Sequence, residues 1–328
     1  MPQALSIGEL LIDFVSTATD VGLADCPGFA KAPGGAPANV ACGLAKLGLS
    51  SGFIGKIGDD PFGDFLRSAL EQSSVDTTHL VSGEGCRTTL AFVAIRSDGA
   101  KDIVFYRNPG ADMLLSPDEI DSAYIASASL FHYGSVSLSH QPSRDATLKA
   151  IELAKQNDLL MSYDPNLRLM LWDSPTDAKK WVWEVMPYAN VVKIADEEWA
   201  FIMGADSLEA GCERLFSLGV DMVVVTRGKH GCYYNNGAYR GTVPGFLVKV
   251  VDPLGAGDSF VAAMLARLLK LPDGVGLKSC DGDTLHELMT YANAAGALAT
   301  QRVGVIPALP TTTEIEAFLM KASPAPAS

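Results

Sequence analysis

The sequence is poor in basic residues and gathers them nowhere. It carries 25 Lys and Arg against 38 Asp and Glu in 328 residues, a formal net charge of −13. A nucleic-acid binder presents a positive stripe or patch to the phosphates, so a general DNA or RNA binder is excluded. Cysteine is scarce too. The six, Cys26, Cys42, Cys86, Cys212, Cys232 and Cys280, are scattered with no C-x-x-C pair. That pattern excludes a disulfide framework and reads as reduced thiols of a cytoplasmic protein. The five histidines lack metal-ligand spacing, which leaves a zinc site without support. No long apolar run occurs either. The uncharged stretch 124–143 is broken by His132, Gly134, His140, Gln141 and several serines, so it cannot span a membrane. The chain starts Met-Pro-Gln and enters a strand-like run at Ala4-Leu5-Ser6-Ile7, so no signal or transit peptide is expected ahead of it.

Two phosphate-binding signatures are also missing. The Walker pattern G-x-x-x-x-G-K-[ST] fails because Gly55-Lys56 is followed by Ile57 and Gly228-Lys229 by His230. A G-x-G-x-x-G after the first strand is absent as well.

What is present is a large apolar fraction, 48%, with 19% charged residues, enough for a sizeable core and against disorder. Short β-rich runs alternate with helical patterns. Val191-Val192-Lys193-Ile194 precedes a helical stretch at 197–203, and Met222-Val223-Val224-Val225-Thr226 follows one at 207–218. Such alternation predicts βαβ units and a mainly parallel sheet. Two segments break the rhythm. Residues 90–107 read as a hairpin around Ser97-Asp98-Gly99-Ala100, and 10–31 is extended with no helix. Together they predict a small sheet outside the main one, forming a lid. The expected division is a core of 1–11, 34–86 and 111–322, a lid of 12–33 and 87–110, and a frayed tail at 323–328.

Two glycine clusters carry the chemistry. In Asp252-Pro253-Leu254-Gly255-Ala256-Gly257-Asp258-Ser259-Phe260, small residues precede a helix marked by Val261, Leu265, Leu268 and Leu269. Backbone amides at such a helix start form an anion site without any lysine. Asp258 is then either a base taking a proton from an attacking hydroxyl or a helix cap. The second cluster runs from Pro33-Gly34-Gly35 into a helix with Asn39 in its first turn. The Asn39 amide suits a polyol, or else a helix-start hydrogen bond.

Together these segments resemble the PfkB (ribokinase-like) family of carbohydrate kinases, and within it the fructokinases. The likeness spans nearly the whole chain: GGAPANVACGLAKLG at 34–48, GKIGDDPFG at 55–63, VFYRNPGADMLL at 104–115, SYDPNLRLMLW at 162–172, VVVTRGKHG at 223–231 and GAGDSF at 255–260. The resemblance implies a three-layer α/β/α core with a mainly parallel sheet plus a small β-sheet lid. It implies an ATP-dependent sugar kinase with Mg²⁺, most like a fructokinase, with 2-keto-3-deoxygluconate kinase or ribokinase as alternatives of the same fold. A non-catalytic relative is the alternative of a different class, opposed by the intact Gly255-Ala256-Gly257-Asp258.

Residue by residue, the resemblance makes Asp258 the base and the amides of Gly255, Ala256 and Gly257 the anion hole, with Arg168 supplying positive charge. It places Asp13, ending the first strand, with Gly34, Gly35 and Asn39 on the sugar, and brings Tyr106 and Arg107 down from the lid. Lys193, Thr226, Gly228 and Asn293 would line the nucleotide site. Glu198 would meet Mg²⁺ through water, although the family's N-x-x-E signature has Ala195 in place of its Asn. Asp252, Leu254, Arg302 and Gly304 match a monovalent-cation site, K⁺ in relatives, yet Pro253-Leu254 replaces the family's two threonines. Pairing of lids makes a homodimer plausible.

Overall fold

The computed structural model describes residues 1–96, 101–272 and 275–322. The expected hairpin turn at 97–100 and the tail at 323–328 lie outside the described residues.

The main sheet runs in the order Arg240–Val243, Cys232–Asn235, Met222–Thr226, Val191–Ala195, Leu160–Tyr163, Leu130–Tyr133, Ala4–Ile7, Ser51–Gly58 and Val75–Asp76, with Leu80–Gly83 also paired to Ser51–Gly58. Pairing is parallel from Met222–Thr226 across to Val75–Asp76 and antiparallel for the two strands at the other edge. Central strands such as Ala4–Ile7 and Leu130–Tyr133 are buried along their whole length, which is why they read as near-continuous apolar runs.

Alternation along those strands divides the core into two layers of contact. Leu5, Ile7, Phe131, Tyr133, Met161 and Tyr163 face helices Ser143–Gln156, Pro175–Glu184 and Leu208–Ser217 through Ile151, Val182 and Leu215. Ala4, Leu130, Val191 and Val224 face helices Ala36–Lys46, Ala256–Leu268 and Gly282–Ala299 through Leu44, Met264 and Met289. Period-2 strands with helices on both faces give the expected three layers.

A second sheet has the order Phe29–Gly34, Leu11–Ser16, Leu90–Ile95 and Lys101–Tyr106. Its outer pairs are antiparallel and its central pair parallel. Asp13 therefore does not end the first strand. The chain breaks after Ile7, and Asp13 lies within the second strand, Leu11–Ser16. This small sheet joins the main one at 8–10 and at Gly34, so its inner face overhangs the carboxyl ends of the parallel strands. In open parallel sheets, that end is where ligands bind.

Candidate active site

A cleft of about 670 Å³ opens there. Its walls hold Asp13, Gly35, Asn39, Arg168, Lys193, Glu198, Thr226, Gly228, Leu254, Gly255, Ala256, Gly257, Asp258 and Asn293. Sequence positions from all parts of the chain thus meet in one place.

The centre is the start of helix Ala256–Leu268. Gly255 precedes it in the left-handed region, φ 75°, and a side chain there would strike Val305. Only glycine meets both demands. The first amides of the helix have no partner within it and carry the positive end of its dipole. Asp258 sits in this first turn, 8% exposed, and makes no capping bond. Its Oδ2 instead accepts a hydrogen bond from Asn39 Nδ2 at 2.8 Å. Helix capping is therefore not its role. Burial pushes the Asp258 carboxyl up to about 6, with Asp164 adding to the rise while the Asn39 bond, Lys193 and Arg168 restrain it. At neutral pH it is still mostly ionised, as a base must be.

Lys193 lies beside this helix start, its Nζ 3.5 Å from where a Gly257 side chain would begin. It pairs with Asp164 Oδ2 at 3.0 Å, both side chains buried. Burial works against the ammonium, but Asp164 and Glu198 outweigh it and hold the charge in place. Glu198 accepts the amides of Leu167 and Ala195, and burial, reinforced by Asp164, raises its carboxyl above the ordinary range. Arg168 is exposed at the mouth, turned back over the Leu167 carbonyl at 3.1 Å.

At one end of the cleft, the Asp13 carboxylate covers Gly34 so closely that a side chain at Gly34 would collide with it. At the other, Asn293 Nδ2 donates to the carbonyls of Val243 and Pro244 at 3.2 and 3.3 Å. These bonds fix the apolar segment Phe246, Leu247, Val248 and Val250, which completes that wall. Such a slot accepts a flat ring, and Thr226 and Gly228 flank it from the end of the strand Met222–Thr226.

Several expected residues lie elsewhere. Gly34 is under Asp13 rather than on the wall. Tyr106 is 65% exposed, its ring edge-on to Phe92 at 5.5 Å on the outer face of the small sheet. Its neighbour Phe105 faces the cleft, because adjacent strand residues point to opposite faces. Arg107 is also off the wall. Its buried guanidinium, 3% exposed, pairs with Asp112 at 2.7 Å and donates to Ser139 Oγ at 3.0 Å. A strand-end charge matched to an acid is what the structure shows. Asp252 accepts the amides of Leu254 and Gly304, both at 3.0 Å, and so ties two loops together. The Arg302 side chain pairs with Glu314 at 2.5 Å.

Among the parts of the wall that carried no expectation are Phe105, the 246–250 segment and Glu9. Phe105 follows from strand alternation once the register is known. The 246–250 segment, apolar apart from Lys249, has no helical or strand period that singles it out. Glu9, a lone acid between apolar residues, has no spacing that singles it out.

A base held beside unpaired amides, with cations nearby, is equipped to deprotonate a hydroxyl and to receive charge on a transferring phosphoryl group. The comparisons with known proteins agree. The family model of the pfkB family carbohydrate kinases matches residues 1–312. A probable fructokinase-4 from Arabidopsis thaliana is 48% identical over 316 residues, covering 96% of each chain. The crystal structure of a Xylella fastidiosa fructokinase with bound ATP superimposes with a TM-score of 0.89 at 31% identity, covering 97% of this chain and 98% of that one. A double mutant of a Vibrio cholerae O395 fructokinase, with fructose, ADP and potassium ion bound, gives 0.85 at 33% identity, covering 97% and 99%.

Proposed function

Because the chain belongs to the pfkB family of carbohydrate kinases, we infer that it is an ATP-dependent fructokinase, converting D-fructose and ATP to fructose 6-phosphate and ADP. The observation that carries the reading is the buried carboxylate of Asp258, held by Asn39 beside the open amides of a glycine-led helix start.

Asp258 takes the proton of the sugar's primary hydroxyl as that oxygen attacks the γ-phosphorus and ADP departs. The transition state is loose, so placement matters more than basicity. The amides of Gly255, Ala256 and Gly257 receive the charge on the transferring group, with Lys193 and Arg168 at its flank. Adenine occupies the slot between Thr226, Gly228, the 246–250 segment and Asn293. Asn39 gives Nδ2 to the base, and its buried Oδ1 has no protein partner, which leaves it open to a sugar hydroxyl.

Among the described residues no group of three His, Cys, Asp or Glu side chains forms a metal cage. Glu198, on the cleft wall, would meet Mg²⁺ through water. Bound Mg²⁺ would neutralise the phosphates. A monovalent cation would use Asp252 with the Leu254, Arg302 and Gly304 backbone. Asp252 already joins these loops through two amides, so K⁺ would add little order.

The small sheet is a lid over the sugar end, with Gly34, Gly35 and Gly110 at its joins, and closure excludes water from the phosphoryl group. Its face away from the cleft packs Phe14 against Phe62 of helix Pro61–Gln72 and leaves Val104 and Tyr106 exposed, a surface on which two lids would meet as a homodimer. No helix of the described residues is long and apolar enough to cross a membrane, and a cytoplasmic location suits the free thiols.

Among sugars, a neutral ketose fits better than a sugar acid. Arg107, the lid cation that could have met a sugar-acid carboxylate, is committed to Asp112 and Ser139. An ADP-release assay across fructose, ribose, 2-keto-3-deoxygluconate and adenosine tests this. Fructose should show the highest kcat/KM, and a higher value for any other member overturns the assignment.

A further inference from the structure

Glu9 stands in the 8–10 connection between the two sheets, on the cleft wall with Asp13, Gly35 and Asn39. It is 5% exposed. Its Oε1 accepts the Ala36 amide at 3.0 Å, which seats the start of helix Ala36–Lys46. Its Oε2 is equally buried and has no partner in the protein. An unsatisfied carboxylate oxygen is costly to keep away from water, and helix seating needs only the other oxygen. Something must make use of the second.

The surroundings say what. The cleft wall also carries Asp13, Asn39 and Asp258. The nearby cation Arg107 is held by Asp112. Lys193 sits at the phosphoryl end beside Gly257, and Arg168 is at the mouth. Burial pushes the Glu9 carboxyl up to about 7, and a pocket lined by acceptors binds groups that donate hydrogen bonds.

We propose that Glu9 is a specificity-determining residue, its free Oε2 meeting a hydroxyl of a neutral polyol. The proposal rests on the sugar-kinase reading and deepens it. Discrimination of this kind is strong because a substrate lacking that hydroxyl leaves a buried polar group unpaired.

The test is Glu9→Gln, which keeps the shape and leaves an oxygen for the Ala36 amide. The KM for fructose should rise about tenfold, the loss of one well-placed hydrogen bond, while the KM for ATP should stay within about twofold. An unchanged fructose KM overturns the proposal. So does a parallel rise in both KM values, which would mark a structural role. If Glu9→Gln does not fold, Glu9→Asp keeps the carboxyl but withdraws it by one methylene, and the same split between the two KM values decides. Wild-type protein without fructose activity would instead sink the underlying kinase assignment.

Discussion

Asn39 Nδ2 donates to Asp258 Oδ2 at 2.8 Å, so residues 219 positions apart in sequence join the first turns of two packed helices. The bond holds the base in one orientation and takes up a lone pair that burial would otherwise leave unmet. In the proposed reaction the other Asp258 oxygen meets the substrate hydroxyl, beside the helix-start amides.

Replacement of Asp258 by Asn separates chemistry from binding. The variant should lose about 10²–10⁴ in kcat, the usual worth of a positioned base, while fructose still binds, as calorimetry would show. Activity within tenfold of wild type would mean that the base has been misassigned. The same variant should also be more stable at pH 7. The folded Asp258 carboxyl is raised, to about 6, so its stabilising effect is complete below the ordinary value near 4 and is lost as pH rises through about 6. Above that, wild type carries a buried charge that the amide lacks. A Tm for Asp258→Asn below that of wild type at pH 7 would contradict this.

The Asn39 bond also sets the acid limb of the rate profile. Among the influences on Asp258 it is the largest one favouring the ionised form. Asn39→Leu should therefore move the carboxyl further up. Activity requires the ionised base, so kcat/KM should fall more at pH 6 than at pH 8. A uniform loss across that range would leave Asn39 with a sugar contact and no influence on the base.

Much of this site was legible in the residues because its parts are local. A glycine forced by φ 75°, small residues and an acid in the first helical turn occupy only a few consecutive positions, Gly255 to Asp258. The alternating β and helical runs likewise announced the parallel sheet. Facing was less legible. Tyr106 and Phe105 differ by one residue, and which meets the cleft depends on pairing of Phe105 with Ala91 and Tyr106 with Leu90, a tertiary fact. Glu9 was invisible for a related reason. Its significance arises from Ala36, 27 residues away, and from an oxygen left without a partner. The choice between cap and base for Asp258 also had to wait for the position of Asn39.

Arg107 gives the clearest contrast between a sugar contact and a framework charge. Its guanidinium and the Asp112 carboxylate are both almost fully enclosed, 3% and 1% exposed, and Thr89 Oγ1 adds a further bond to the acid. Removing one member of such a pair strands the other charge, at a cost of about 3–5 kcal/mol. Arg107→Met should therefore lower the urea midpoint markedly. Replacing both, as Arg107→Met with Asp112→Leu, should restore much of the loss, since a buried pair exchanged for apolar groups of similar volume is often close to neutral. Fructose KM in the double variant should follow wild type if the pair acts only on the framework. A large KM rise with an unchanged midpoint in Arg107→Met would return the residue to the sugar.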